Sequence, residues 1–177
     1  MQLFRSILGH LTQATKESKM EISQEGVTLI KHYEGCPKDR DGNAVAYRCP
    51  ANKLTIGYGS LNLIDGSPVE DDMSITMQEA ENLLTHELKQ YQEYINDMVK
   101  VPLKQNEFDA LVSWVFNLGP TNLKSSTLLK VLNAGDYENV PEQIKRWNKV
   151  NSVVNEGLVK RRKSEALLFE GKDWTEV

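Results

Sequence analysis

Residues 106–117 read NEFDALVSWVFN, and Phe108, Ala110, Leu111, Val112, Trp114, Val115 and Phe116 leave this segment almost no polar face. A helix that is apolar nearly all round has to be enclosed, since one amphipathic partner covers only a stripe of it. The chain must therefore supply several further helices to wrap a central one. Gly119 and Pro120 are expected to stop it.

The wrapping elements are legible from their caps and periodicity. Upstream, ISQEGVTLIKHYEG offers Ser23 as N-cap, an Ile22–Val27 staple across the first turn, and Gly35 as the terminating glycine. Thr76 and Glu79 form a capping box ahead of a long helix striped by Leu83, Leu84, Leu88, Tyr91, Ile95 and Met98, which Pro102 ends. Downstream, SSTLLKVLNAGDY, VPEQIKRWNKV and VKRRKSEALLFEG each read as helices, with Pro141 acceptable in a first turn. Between the first helix and the long one, residues 37–75 are rich in Gly, Asp, Asn and Pro. Short alternating runs and Asp-Gly turns at 41–42 and 65–66 predict a small β-hairpin lobe there. The expected fold class is α+β: a β-rich lobe (about 37–75) and a larger helical lobe (about 76–172), joined by a long helix, with a cleft between them.

Residues 1–19 stand apart from this domain, which runs over 20–177. Leu3, Phe4, Ile7, Leu8, Leu11 and Ala14 fall on one helical face, with Arg5, His10, Gln13 and Lys16 outside it. Arg5, Gly9, His10 and Gln13 interrupt the apolar run that a signal peptide needs. The pattern favours an amphipathic helix docked on the protein's own body or on a partner over one lying on a membrane. Without a signal peptide, a cytoplasmic product is expected. The net charge of −4 gives no basic footprint, so no nucleic-acid partner is expected.

The chemistry concentrates around the first helix and the hairpin lobe. Val27, Ile30 and Glu34 share a face, which turns Glu34 toward the buried side at the last turn. A carboxylate there is costly unless paired, and burial favours its neutral, proton-donating form. Cys49 and Thr55 lie at the edge of the hairpin lobe and could face the same cleft. Three histidines without ligand spacing and two cysteines make no metal site, and no cofactor is implied. A Cys49–His32 nucleophile pair is conceivable. Glycoside hydrolysis fits better: it needs an acid to protonate the leaving oxygen and an opposing group to activate water, roles open to Glu34 and to Cys49 with Thr55.

Glu34, Cys49, Thr55 and TIGYG, followed by FDALVSWVFNLG, STLLKVLNAGDY, RWNKV and GLVKRRKSEALLFEG, resemble the phage-type lysozymes (endolysins of glycoside hydrolase family 24) over residues 22–172. The resemblance implies an endolysin that hydrolyses the β-1,4 bond between N-acetylmuramic acid and N-acetylglucosamine in peptidoglycan, working as a monomer, released by a holin to reach the wall. It implies Glu34 as general acid and Cys49 with Thr55 as holders of the attacking water. It also implies Phe116 and Asn117 in the sugar cleft, and Arg161, rather than Arg162, paired with Glu34. The alternatives are a cell-wall-binding protein that kept the fold and lost activity, and a cysteine-nucleophile hydrolase.

Three departures stand out. Fourteen residues separate Glu34 from Cys49 where the family usually has eight, and the excess falls in PKDRDGNAVA. Ser60 stands where many members have histidine. The segment before Met20 lies outside the resemblance. A Cys36–Cys49 bridge would tie up the thiol, so oxidation is expected to silence such a site. Trp114, Trp147 and Trp174 are expected in the core rather than against sugar.

Overall fold

The computed structural model describes residues 19–177. The amphipathic helix expected over 1–19 lies, apart from Lys19, outside the described residues. Helix α1 (Gln24–Glu34) is followed by four short strands: β1 (Ala44–Val45), β2 (Tyr47–Arg48), β3 (Leu54–Thr55) and β4 (Ser74–Ile75). Helices α2 (Met77–Met98), α3 (Gln105–Leu118), α4 (Pro120–Ser125) and α5 (Thr127–Asn133) come next. A 3₁₀ turn at Tyr137–Asn139 leads into α6 (Val140–Lys145), then β5 (Lys149–Val150), β6 (Val153–Val154) and α7 (Glu156–Phe169).

Local chemistry sets the ends of the elements that carry the site. Ser23 caps α1 by accepting from the Gly26 N–H, and Gly35 closes it at φ 65°, in the left-handed region. Thr76 and Glu79 form the reciprocal box that starts α2. Helix α3 is the enclosed one, and its residues from Glu107 to Val115 are all buried. Trp114 is fully buried against the edge of Trp147, with ring centroids 5.3 Å apart. Trp174 is also buried, beside His32.

Two apolar cores underlie the lobes. The larger gathers Leu29, Ile30, Leu84, Leu88, Ile95, Trp114 and Phe169 around α3. The smaller is Ile56, Val69 and Leu83, and Ile75 packs against both. Helix α2 thus contributes Leu83 to one core and Leu84 and Leu88 to the other, which fixes the lobes to one rod.

The excess residues between Glu34 and Cys49 form a self-contained turn. The Asp39 carboxylate accepts from the Asp41 and Asn43 N–H groups, each at 2.9 Å, and Gly42 takes φ 86°. Lys38 bridges Ala44, and β1 then pairs antiparallel with β4, Ala44 opposite Ile75. The extra length is absorbed by this turn and by a pairing partner far along the chain.

The structure departs from the sequence expectation at three elements. Gly119 does end α3, but Pro120 opens a new helix at its N1 position instead of barring one. Helix α6 stops at Lys145 rather than running through RWNKV. Residues 149–154 make a second hairpin, turned by Asn151 and Ser152 at φ 48° and 67°.

Helix α1 seats on α3 at a glycine. A Cβ at Gly26 would lie 2.7 Å from Ile22 Cγ1 and 2.8 Å from Asp109 Cβ. Asp109 in turn accepts from the Ser23 N–H (2.9 Å), the Ser23 hydroxyl and the Gln105 amide, so it has little room to retreat. Gly26→Ala is expected to cost a net of about 1–3 kcal/mol by overpacking, despite the better helix propensity of alanine. The urea midpoint at unchanged m-value measures it, and a variant as stable as the parent would show that this contact yields freely.

Candidate active site

Glu34 lies on the last turn of α1 with its side chain 22 % exposed, one carboxylate oxygen tied down from below. Arg161 of α7, itself 5 % exposed, donates from Nη1 to Glu34 Oε1 at 2.6 Å. The guanidinium is held in three further ways: Nε to Glu165 Oε1 at 3.2 Å, Nη2 to the Ser113 carbonyl at 3.5 Å, and its cation 5.7 Å from the Tyr33 ring centroid. Arg161 is the arginine beside the acid, and Arg162 faces elsewhere.

Arg162 donates from Nη2 to Asn117 Oδ1 at 3.0 Å and to Glu165 Oε1 at 2.9 Å. Its Nε sits 2.7 Å from Glu165 Oε2, near enough for strong ion pairing though misaligned for a hydrogen bond. Burial pushes the Arg162 pKa down and the Glu165 charge pulls it back up. The Ser113 hydroxyl completes the shell of Glu165 at 2.7 Å. One fully buried carboxylate therefore anchors both the arginine that holds Glu34 and the arginine that holds Asn117.

Above this floor opens a cavity of about 400 Å³ between the lobes. Glu34 enters it from α1, Tyr58, Gly59, Leu61 and Asn62 from the segment after β3, Glu87, Gln90 and Tyr91 from α2, and Phe116 with Asn117 from α3. Phe116 meets the Tyr91 ring edge-on at 4.9 Å. Gly59 takes φ 108°, in the left-handed region, and a Cβ there would lie 3.8 Å from Glu34 Oε2, an ordinary contact, so the second carboxylate oxygen sits beside this glycine at the cavity wall.

Cys49 and Thr55 stand together, outside the lining of that cavity. Strands β2 and β3 pair with Tyr47 opposite Thr55, and the Cys49 N–H donates to the Lys53 carbonyl at 2.9 Å, which closes the hairpin. The Lys53 backbone hydrogen bond draws the Cys49 thiol below its usual range against some burial, and the Ala51 N–H, the Thr55 hydroxyl and the Lys53 charge add to it. Thr55 is buried and donates to the Lys53 carbonyl at 3.0 Å. Tyr47 links the two clusters: burial raises its pKa, and the charges of Glu34, Cys36 and Cys49 raise it further.

Both cysteines are free thiols. The Cys36 sulfur faces Met77 Sδ at 3.9 Å, at the start of α2, and burial pushes its thiol pKa up.

Sequence reasoning missed Glu87, Tyr47 and Glu165. Burial raises the Glu87 pKa, the Ser60 hydroxyl and His86 pull it back, and the Glu34 charge pushes it up again. The available signal was Ser60 itself, an alcohol following two glycines where a base is usual.

The profile of the family described as Phage lysozyme matches residues 31–165. The endolysin of Acyrthosiphon pisum secondary endosymbiont phage 1 is 40% identical over 157 residues, covering 85% of this chain and 99% of that relative. The endolysin of Bacillus phage B103 is 41% identical over 152 residues, and there the match spans 85% of this chain but only 54% of the relative. Among solved structures, an endolysin from Escherichia coli O157:H7 phage FAHEc1 superposes with a TM-score of 0.78 at 38% identity, over 86% of this chain and 94% of the other. These likenesses in sequence and in fold place the chain in the phage lysozyme family of peptidoglycan-hydrolysing enzymes.

Proposed function

We propose that the chain cleaves the β-1,4 bond between N-acetylmuramic acid and N-acetylglucosamine, with Glu34 as the general acid. The observation that carries this is the placement of Glu34: one oxygen is fixed by Arg161 and the other sits beside Gly59 at the cavity wall. A proton on that second oxygen can pass to a glycosidic oxygen lying along α2 and α3, where Phe116 and Asn117 offer a ring and an amide to the sugars. Cys49, whose thiol pKa is lowered, and Thr55 stand together on the hairpin beside this cavity, and the two hold the attacking water.

The enzyme acts as a monomer on glycan strands. Among the described residues no helix is long and apolar enough to cross a membrane. Release from the cytoplasm through a holin lesion would bring it to the wall for host-cell lysis.

Digestion of purified peptidoglycan, followed by borohydride reduction and mass spectrometry, tests the bond assignment. New muramitol ends are expected. Glucosaminitol ends, peptide fragments or no new ends would overturn it, the last outcome indicating a wall-binding protein. The lowered Cys49 thiol also suits a cysteine nucleophile, and Cys49→Asp separates the two chemistries. Cleavage by Cys49→Asp within about tenfold of the parent is expected, because a carboxylate can position the same water. A dead but folded Cys49→Asp would favour the nucleophile.

A further inference from the structure

The residue before the acid grips the same helix that supplies its arginine. Tyr33 and Glu34 are consecutive at the end of α1, and their side chains leave that helix about 100° apart. Both nevertheless arrive at α7. Glu34 Oε1 accepts from Arg161 Nη1, while the Arg161 cation lies 5.7 Å from the Tyr33 ring centroid. One turn further along α7, at i+3 from Arg161, the fully buried Ser164 holds its hydroxyl 2.6 Å from the Tyr33 hydroxyl. Tyr33 therefore spans a turn of α7, with its ring on Arg161 and its oxygen on Ser164.

The direction of that hydrogen bond follows from its neighbour. The Ser164 hydroxyl also lies 2.8 Å from the Trp174 carbonyl, which can only accept, and a serine has one hydroxyl proton. Ser164 donates to Trp174, so it accepts from Tyr33. The His32 ring stands against both aromatic partners, 4.9 Å from Tyr33 and 5.7 Å from the buried Trp174, edge-on to each. The last turn of α1 is thus tied to α7 and to the segment that follows it. That turn needs a hold, because Glu34 is the last residue of α1 and Gly35 turns the chain away at φ 65°.

We propose that Tyr33 is a positioning residue for Glu34: by locking the end of α1 across one turn of α7, it fixes the angle at which the acid meets Arg161 and the glycosidic oxygen. The proposal rests on Glu34 being the acid. Tyr33 lies outside the lining of the cavity, so it acts through Glu34 and Arg161 and not on the sugar. Proton transfer in a bound complex is steep in geometry, and a small displacement of the donor lowers the rate without loosening the substrate.

The test separates kcat from KM on soluble peptidoglycan fragments, at a temperature where each variant is folded, with the urea midpoint measured alongside. Tyr33→Leu, which removes ring and tether, is expected to lower kcat by on the order of tenfold with KM within about twofold of the parent. Tyr33→Phe keeps the ring and loses the tether, and Ser164→Ala removes the same bond from the other side. Each is expected to lower kcat by about threefold, and the two together no further than either alone. An unchanged kcat in all of these, however far the urea midpoint falls, makes Tyr33 a packing residue and overturns the proposal. A raised KM at parental kcat sets the ring against sugar and overturns it as well. Should Tyr33→Leu not fold, Tyr33→Phe and Ser164→Ala decide by the same two readings. Glu34→Gln run beside them keeps the layers apart: parental activity there removes the acid assignment itself, whereas an inactive Glu34→Gln with unaltered Tyr33 variants removes the role of Tyr33 alone.

Discussion

Glu34→Gln is expected to lower kcat by about a thousandfold or more, with KM changed little. The substituted amide keeps the shape of the side chain, and its carbonyl oxygen can still accept from Arg161 Nη1, so the cavity wall, with Phe116 and Asn117, stays in place. What is lost is the proton. A sugar oxygen is a poor leaving group unless it is protonated as the bond breaks, and a positioned general acid typically contributes about 10²–10⁴-fold. The effect should therefore fall on kcat and kcat/KM equally, the signature of an interaction made only in the transition state. The fold should survive, because Arg161 retains Glu165, the Ser113 carbonyl and the Tyr33 face. Turbidity clearing on permeabilised cells gives the first comparison, and fragment kinetics with a circular dichroism check give the second. Equal clearing by parent and variant would remove Glu34 from the chemistry altogether.

How far the sequence reveals this site follows from the range of each interaction. Ser23 and the Thr76–Glu79 box are readable because an N-cap bond spans three residues, and the structure has both. The direction of Glu34 is readable because Val27 and Ile30 share its helical face. The Arg161–Glu34 pair spans 127 residues, and family resemblance rather than spacing points to it. Glu165 is invisible for the same reason. KRRKSE is too charged to read as a core segment, yet Arg161, Arg162, Ser164 and Glu165 are all buried, since α7 packs onto α3 where Ser113 and Asn117 await it. Glu87 is hidden by its own helix, on which it looks like one more polar residue beside Leu88. Only α1 and the Ser60 segment, folded over it, make it part of a cavity. The hairpin at 149–154 escapes for a different reason. Asn151-Ser152 between Val150 and Val153 is a turn signal, but Val150 at the end of RWNKV extends an apolar helical pattern that the structure leaves exposed and pairs as strand instead.

Glu165→Ala is expected to cost about 3–5 kcal/mol, a large share of the roughly 5–15 kcal/mol that a domain of this kind possesses. Removing this carboxylate leaves two guanidiniums buried side by side, with Glu34 as their remaining counter-charge and the Ser113 hydroxyl without its acceptor. The loss should appear as a lowered urea midpoint at constant m-value. Activity should fall further than stability explains, because Arg161 loses one of the anchors that hold it against Glu34 and Arg162 loses the carboxylate that holds it against Asn117. A double variant separates the two effects. Replacing Arg162 and Glu165 together with methionine removes one charge of each sign and fills the space with apolar volume, a change that is often neutral or stabilising for a buried pair. Arg161 still keeps Glu34 as its partner in that variant. Its stability should recover most of what Glu165→Ala loses, whereas its rate should stay low, since nothing then orients Asn117 in the cleft. Recovery of both would make the network a matter of packing alone. A Glu165→Ala variant within about 1 kcal/mol of the parent would show that water or rearranged side chains satisfy the arginines, and that the acid and the cleft amide are not held from one point.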